Sequence, residues 1–359
     1  MVPNIDNTHT SHWIYTAVAL LRVLLLKRDD QTKWGTVLEL MDHWEERSQD
    51  TEVVKAMKIM FTFFTKKLDM SWISLTDVQH VFGVLQTNSV SLISVSGRTF
   101  YPTVSLLSHS CLPNLEPTSN PSDKIFLRAK SRIRAGEQLT MRYTHYLSPA
   151  WERRREIRAE WMFDCDCPRC TDDTELQTFT SFLKCLQCEG FYNSKSDGSF
   201  NFTCSQCKHS QDFTEKFQRF GEIEEKLCSD SLSREEIKTL CDEIDGDQHI
   251  HEKFYIKVKL YMKFSETFSD SSDPVLLEDV ASKLKIVLNL IRDIDHGCSK
   301  LTGKYLLVLA EVQGKLLTIR KKQEPGMEVG QVRRAVADIV KSKMVANKML
   351  SQYYTLPSS

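Results

Sequence analysis

Eight of the eleven cysteines in this 359-residue chain fall into two sets, and their spacing restricts the fold more than any other feature. Cys185 and Cys188 form one C-x2-C pair, Cys204 and Cys207 a second, with fifteen residues between the pairs. Two such pairs joined by a hairpin-length segment can bring four thiolates to the corners of a tetrahedron, the zinc-ribbon arrangement. Gly198, in the run Lys195-Ser-Asp-Gly, reads as the hairpin turn, with Gly190-Phe-Tyr and Phe200-Asn-Phe as its strands. Four thiolates close the coordination sphere, so a zinc held there is structural. The plainer alternative is four unrelated buried thiols. Cys165, Cys167 and Cys170 form a C-x-C-x2-C set that wants a fourth ligand, for which Cys111 is the candidate; surface redox cysteines are the alternative. Cys228, Cys241 and Cys298 are scattered through helical-looking sequence and read as small buried hydrophobes.

Metal is expected before disulfides because the chain reads as a resident of the cytoplasm or nucleus rather than as a secreted protein. The early apolar stretch Ile14 to Leu26 is interrupted by Arg22. It is too short for a membrane span, which needs about 20 apolar residues, and it lacks the basic start and cleavage site of a signal peptide. Lys+Arg 47 against Asp+Glu 48 gives a net charge of −1, a field that draws neither nucleic acid nor anionic lipid. Only Lys195 and Lys208 lie between and just beyond the ribbon cysteines, so direct nucleic-acid binding is not expected. Apolar residues at 41% can build a core, and the length suits two or three domains.

Three further segments carry chemistry. Tyr101 to Asn114 reads YPTVSLLSHSCLPN, an apolar strand ending in small polar residues with Pro113 setting a turn. Arg134 to Tyr146 reads RAGEQLTMRYTHY, with Gly136-Glu137 as a turn and Leu139, Met141 and Tyr143 alternating as a strand. Trp161 to Cys170 reads WMFDCDCPRC. In this order and spacing the three segments resemble the SET-domain methyltransferases of the SMYD group, including the insect and arthropod SmydA relatives. Leu75 to Asn88, followed by Ser-Val-Ser-Leu, resembles the family's helix leading into a strand. The likeness covers roughly residues 70–171.

That resemblance implies methyl transfer from S-adenosylmethionine to a lysine amine of a protein substrate, histone or non-histone. It implies that the first and second segments cross as a pseudoknot and that Cys111 completes a post-SET zinc site with Cys165, Cys167 and Cys170. Two structural zinc ions per chain follow. Tyr143 takes the catalytic role, since a phenol can orient an amine while staying un-ionised near neutral pH. His109 holds the methyl donor through main chain and ring, Asn88 binds its amino-acid end, and Phe163 covers the adenine side. Ser108 occupies a donor-site position where the family has asparagine. The residues themselves leave plainer readings open: a packed sheet tyrosine for Tyr143, a strand-end cap for Asn88, a core aromatic for Phe163.

The sequence also departs from the family. It has no G-x-G, its first glycine is Gly35 and its first cysteine Cys111, so neither the donor-binding glycine loop nor a MYND module occurs in it. It reads either as a shortened product or as a chain that has discarded the family's first half. Several lost backbone hydrogen bonds at about 1 kcal/mol each, with serine for asparagine, are expected to weaken donor binding about a thousandfold. The alternative function is therefore a catalytically silent zinc-containing scaffold that binds protein partners through its helical lobe.

From Phe213 onward the pattern is helical. Leu276, Val280, Leu284, Val287, Leu288, Ile291 and Ile294 recur at three-to-four spacing, Asp295-His-Gly297 ends that helix with Gly297 as its glycine cap, and Thr302 to Leu317 starts another. Asp270-Ser-Ser-Asp-Pro274 is a loop. Lys321-Lys322 and Arg333-Arg334 read as solvated helix surface. The fold class expected is α+β: a helical SET insert (1–73), a partial SET β-core (74–148), a post-SET zinc segment (149–171), a zinc ribbon (180–210) and an all-helical C-terminal lobe (213–359).

Overall fold

The computed structural model describes residues 7–91, 98–119, 124–193, 199–229 and 231–354. The chain divides into two compact units. The first comprises residues 1–108, 119–125 and 156–164; the second comprises 109–118, 126–155 and 165–359.

The first unit opens with five helices: α1 (Asn7–Asp29), α2 (Gln31–Leu38), α3 (Trp44–Arg47), α4 (Thr51–Lys67) and α5 (Leu75–Asn88). Their starts are written in short polar side chains. Asp30 accepts from Lys33 N at 3.1 Å, Asp50 accepts from Glu52 N at 2.8 Å, and Ser74 with Asp77 forms a reciprocal capping box on α5. Each such cap is worth about 1 kcal/mol because it satisfies amides that the first helical turn leaves unpaired. Leu20, Leu24, Val37, Met57, Phe64, Val78 and Val81 make the core. Gly83 admits no larger residue there: an added Cβ would lie 2.2 Å from the carbonyl oxygen of Asp42. A hairpin follows, β1 (Ser89–Ser91) with β2 (Arg98–Phe100), in register Ser89 to Phe100, and then α6 (Pro102–Ser105).

The stretch read as an apolar strand from Tyr101 is thus helical at first. Pro102 sits at the first helical position with its φ already set, which favours a turn over extension. Only β3 (Ser108–His109) is strand. Next come β4 (Leu115–Ser119) and β5 (Ile125–Ala129), paired with each other, and β6 (Thr140–Met141), which pairs with β3. The strand expected through Leu139, Met141 and Tyr143 is only two residues long. Its flank is held instead by a side chain, since Asn114 Nδ2 donates to Gln138 O at 2.8 Å and Asn114 Oδ1 accepts from Thr140 N at 2.9 Å. One amide thereby substitutes for a neighbouring strand's backbone.

Beyond α7 (Ala150–Trp161) and α8 (Pro168–Thr171), four short strands form an antiparallel sheet in the order β10-β9-β8-β7. They are β7 (Leu183–Lys184), β8 (Phe191–Asn193), β9 (Asn201–Cys204) and β10 (Ser210–Asp212). The proposed turn at Gly198 lies outside the described residues. Six helices complete the second unit: α9 (Thr214–Cys228), α10 (Arg234–Gly246), α11 (Tyr255–Phe268), α12 (Pro274–Ile294), α13 (Lys300–Gln323) and α14 (Val329–Tyr354). From α10 on, each packs against the next.

Most of the expected apolar row of α12 is buried, with Leu277 rather than Leu276 entering the core. Asp273 caps that helix and Pro274 is its first residue, so the loop runs over 269–273, one position earlier than expected; α13 starts at Lys300, capped by Ser299. Of the three scattered cysteines, Cys241 is buried, Cys298 half-buried and Cys228 exposed. Tyr192, Phe202 and Phe213 belong to the same core as Phe217, Phe254, Leu284 and Ile291. The small sheet is therefore continuous with the helices and is not a detachable module. No described helix is long and apolar enough to cross a membrane.

Gly297 is where the helical part meets the Lys130 segment of the same unit. Its φ is +84°, and an added Cβ would lie 2.4 Å from Lys130 O, the oxygen that accepts from Cys298 N at 2.7 Å. Left-handed backbone costs a substituted residue about 1–2 kcal/mol, and overpacking adds about 1–3 kcal/mol. Gly297→Ala is expected to lower the thermal midpoint by roughly 6–12 °C; scanning calorimetry that shows a shift under 2 °C would rule this packing out.

Candidate functional site

Two places in the second unit concentrate reactive side chains, and both are sets of cysteines. The sulfurs of Cys111, Cys165, Cys167 and Cys170 all lie within 4.8 Å of one another, and so do those of Cys185, Cys188, Cys204 and Cys207. Cys111 follows β3; Cys167 and Cys170 flank the start of the single-turn helix α8, where Cys170 N donates to Cys167 O at 2.9 Å. Cys185 follows β7 and Cys204 ends β9.

The sulfur separations test whether a metal fits. Cys111 to Cys170 is 3.5 Å, Cys185 to Cys207 is 3.7 Å and Cys188 to Cys204 is 3.5 Å. A tetrahedral zinc with bonds of about 2.3 Å spaces its sulfurs roughly 3.8 Å apart, so both cages have the size of that ion. The four sulfurs of each set can all be thiolates only beside a cation. The described cysteines are all unbonded to one another.

Around the first set the neighbouring side chains are ordered in layers. His109 Nε2 lies 3.4 Å from Cys111 Sγ, and its Nδ1 accepts from Tyr143 N at 3.0 Å. An Nδ1 that accepts leaves the proton on Nε2, facing the sulfur. Burial, reinforced by the cations of Arg142 and Arg153 and opposed by Cys167, pushes His109 down to about 4, so the ring is neutral at physiological pH. The His109 and Tyr143 rings stand 5.1 Å apart at 57°. Burial raises the Tyr143 hydroxyl above its ordinary range, keeping it a donor rather than an anion.

Four arginines surround the same set. Arg142 Nη2 donates to Cys111 O at 3.2 Å, Ile294 O at 3.0 Å and Asp295 Oδ1 at 3.1 Å, and Asp295 also pairs with Lys130. Arg154 Nη2 donates to Cys170 O at 2.6 Å. Arg153 and Arg169 are fully buried and share Glu175. Burial disfavours the Glu175 carboxylate, but these two cations outweigh it and hold the carboxyl below its usual range. The sequence reading missed Arg153, Glu175 and the amide of Asn114. A run of three arginines at 153–155 looks like a solvated helix face, and nothing local marks the first as buried.

The remaining predicted residues lie in the first unit. Asn88 Nδ2 donates to Met41 O and to Val84 O, both at 2.9 Å. The amide therefore closes the last turn of helix α5 and does not cap a strand end, and its Oδ1 is the part suited to accept from an ammonium. Trp161 Nε1 donates to Thr87 O at 3.0 Å, and Arg47 bonds both Thr87 Oγ1 and Glu160 O. The segment carrying Phe163 is thus fastened to the helix end carrying Asn88. Phe163 is 37% exposed and not a core aromatic; Ser108 is half-buried. So His109 and Tyr143 are gathered with the cysteines in one unit, and Asn88 with the Phe163 segment in the other. A separate cavity of about 530 Å³ in the second unit is lined by Arg142, Thr144, Tyr146, Asp295 and Leu301, and Tyr143 is not part of its wall.

Comparison with known proteins gives this region a family. The SET domain family matches residues 18–144, so that part of the chain is SET-like. Several of the proteins it resembles are of the SMYD group. Mouse histone-lysine N-methyltransferase SMYD3 is 37% identical over 109 residues, which cover 29% of this chain and 25% of that protein. A SET and MYND domain-containing protein of Dictyostelium discoideum is 29% identical over 152 residues, 38% of each chain. Drosophila melanogaster SmydA-8 isoform A is 27% identical over 162 residues, 43% of this chain and 34% of the other. The insect likeness is longer but lower in identity, so it does not set this chain apart as an insect-type member. The chain spans between a quarter and two fifths of the length of these relatives.

Proposed function

We propose that this chain is a SET-type, SMYD-like protein-lysine N-methyltransferase that uses S-adenosylmethionine. The observation that supports it most is the fixing of Tyr143 by His109 beside the first cysteine set, inside the region of SET similarity. S-adenosylmethionine supplies an electrophilic methyl group on a sulfonium. The work left to the protein is to hold an uncharged lysine amine in line with that methyl, which is positioning and electrostatics. The Tyr143 hydroxyl, kept un-ionised by burial, orients the amine. His109 sets the tyrosine by spending its ring on Tyr143 N and Cys111, and so acts on the donor through its main chain. Asn88 Oδ1 and the exposed ring of Phe163 are the donor's other partners, with Ser108 a weaker one than the family's asparagine.

In this reading Cys111, Cys165, Cys167 and Cys170 hold a post-SET zinc, Cys185, Cys188, Cys204 and Cys207 a ribbon zinc, and α9–α14 form a C-terminal lobe. Both ions are structural, since four thiolates leave no open position. Protein lysines, histones among them, are the substrate class. Incubating the purified chain with a panel of histone and non-histone proteins and methyl-labelled S-adenosylmethionine at millimolar concentration, to offset the weakened donor site, is expected to place label on lysine; label on none of them overturns the reading.

A scaffold that binds proteins through the same helices is the second reading. What favours it is a row on α14, where Val336, Val340 and Met344 are 45%, 49% and 67% exposed at four-residue spacing. Such a row is a helix face awaiting a partner.

A further inference from the structure

We infer that Arg153 balances the charge of the metal site formed by Cys111, Cys165, Cys167 and Cys170, with Arg169 assisting and Glu175 fixing both; this rests on the zinc reading above. Arg153 and Arg169 have side chains that are 0% exposed. Arg153 Nη1 donates to Ser148 O at 2.7 Å, and its Nη2 lies 3.0 Å from Glu175 Oε1 and 3.8 Å from Cys170 Sγ. Arg169 Nη1 donates to Tyr146 O at 2.9 Å, and its Nη2 lies 3.4 Å from Glu175. The Nε atoms of both arginines are buried without a partner.

Two buried cations therefore share one carboxylate, which leaves a unit positive charge out of reach of water. A buried charge without a counter-charge is costly. Four thiolates around Zn²⁺ carry a net charge of about −2, because four negative charges exceed the ion's two positive ones. That dianion, placed 3.8 Å from Arg153, is the missing counter-charge, and the arginines in turn lower the cost of gathering four thiolates in the interior. The second cysteine set is built differently. No arginine occurs between Thr171 and Gln218, and Cys207 is exposed, so water can solvate its charge and it serves as an internal reference.

Competition with a chromophoric chelator, performed on the full chain, counts the two zinc ions and ranks their affinities. Arg153→Met is expected to weaken one zinc by about 10–100-fold, the usual range for a residue behind a ligand, and to leave the other unchanged, with Arg153→Lys in between. Glu175→Gln distinguishes charge from packing. It removes a contact but leaves more positive charge beside the thiolates, so the affected zinc should hold as tightly as in the native chain or more so. Loosening by Glu175→Gln equal to that of Arg153→Met, or equal effects of Arg153→Met on both ions, overturns the inference. Arg153→Lys and Glu175→Gln keep the test decisive if Arg153→Met fails to fold. A native chain that carries no zinc overturns the zinc reading itself, and this inference with it.

Discussion

Cys111→Ser is expected to leave one zinc per chain in place of two and to destabilise the second unit by about 4 kcal/mol. The magnitude follows from chain entropy. Cys111 and Cys165 are 54 residues apart, and closing a loop of that size restricts the unfolded chain by about 4 kcal/mol on the cross-link model. Structural zinc sites carry apparent binding energies of roughly 10–16 kcal/mol, so the metal can hold that loop shut. The substitution also removes the sulfur that faces His109 Nε2, so the histidine that sets Tyr143 loses that neighbour. Cys207→Ser is the matching experiment on the other set. Its cysteines are close in sequence, but Cys185 and Cys204 lie in the main core with Phe217 and Leu284. Loss of that metal should therefore broaden helix unfolding as well, instead of melting a hairpin alone. Elemental analysis with chelator-free protein and chemical unfolding of both variants check these outcomes. Two zinc ions retained by Cys111→Ser would remove that cysteine from the ligand set.

Tyr143→Phe is expected to reduce methyl transfer by about 100- to 1,000-fold while leaving zinc content and thermal stability close to native. The ring that stands 5.1 Å from His109 remains, and the bond to His109 runs through the main-chain amide of residue 143. Only the hydroxyl is lost, and removing one placed polar group from a reacting centre typically costs about 2.7–4 kcal/mol of barrier. His109→Ala is expected to act on the same step by a different route, since it frees the Tyr143 amide and withdraws a neighbour of Cys111. It should lower transfer and loosen the first zinc together. Single-turnover rates with labelled donor, measured beside zinc content, separate the two. Equal rates for Tyr143→Phe and the native chain would return Tyr143 to the role of a packed aromatic.

Much of this was legible in one dimension. Helix α5 covers Leu75–Asn88 as the sequence indicated, because its start is a local capping box and its apolar period is regular. The helices after Phe213 were legible from their apolar period, although α9 and α11 start without a side-chain cap. The strands were harder. Pro102 turned a strand-like run into helix, and Asn114 replaced a partner strand at residues 138–140, both by interactions that apolar alternation does not encode.

The two cysteine sets, the helical arrays and the SET-like motifs are written along the chain, since each is carried by spacing within a short stretch or by a motif in fixed order. Only the tertiary structure showed that His109 turns its ring to Tyr143 N and a sulfur, and that Arg153 is buried beside Glu175. The reason is physical. Spacing governs which side chains share a face of one element, whereas burial and charge compensation depend on which elements pack together. A guanidinium in a run of arginines becomes an interior counter-charge only once Cys170 and Glu175 have been folded against it.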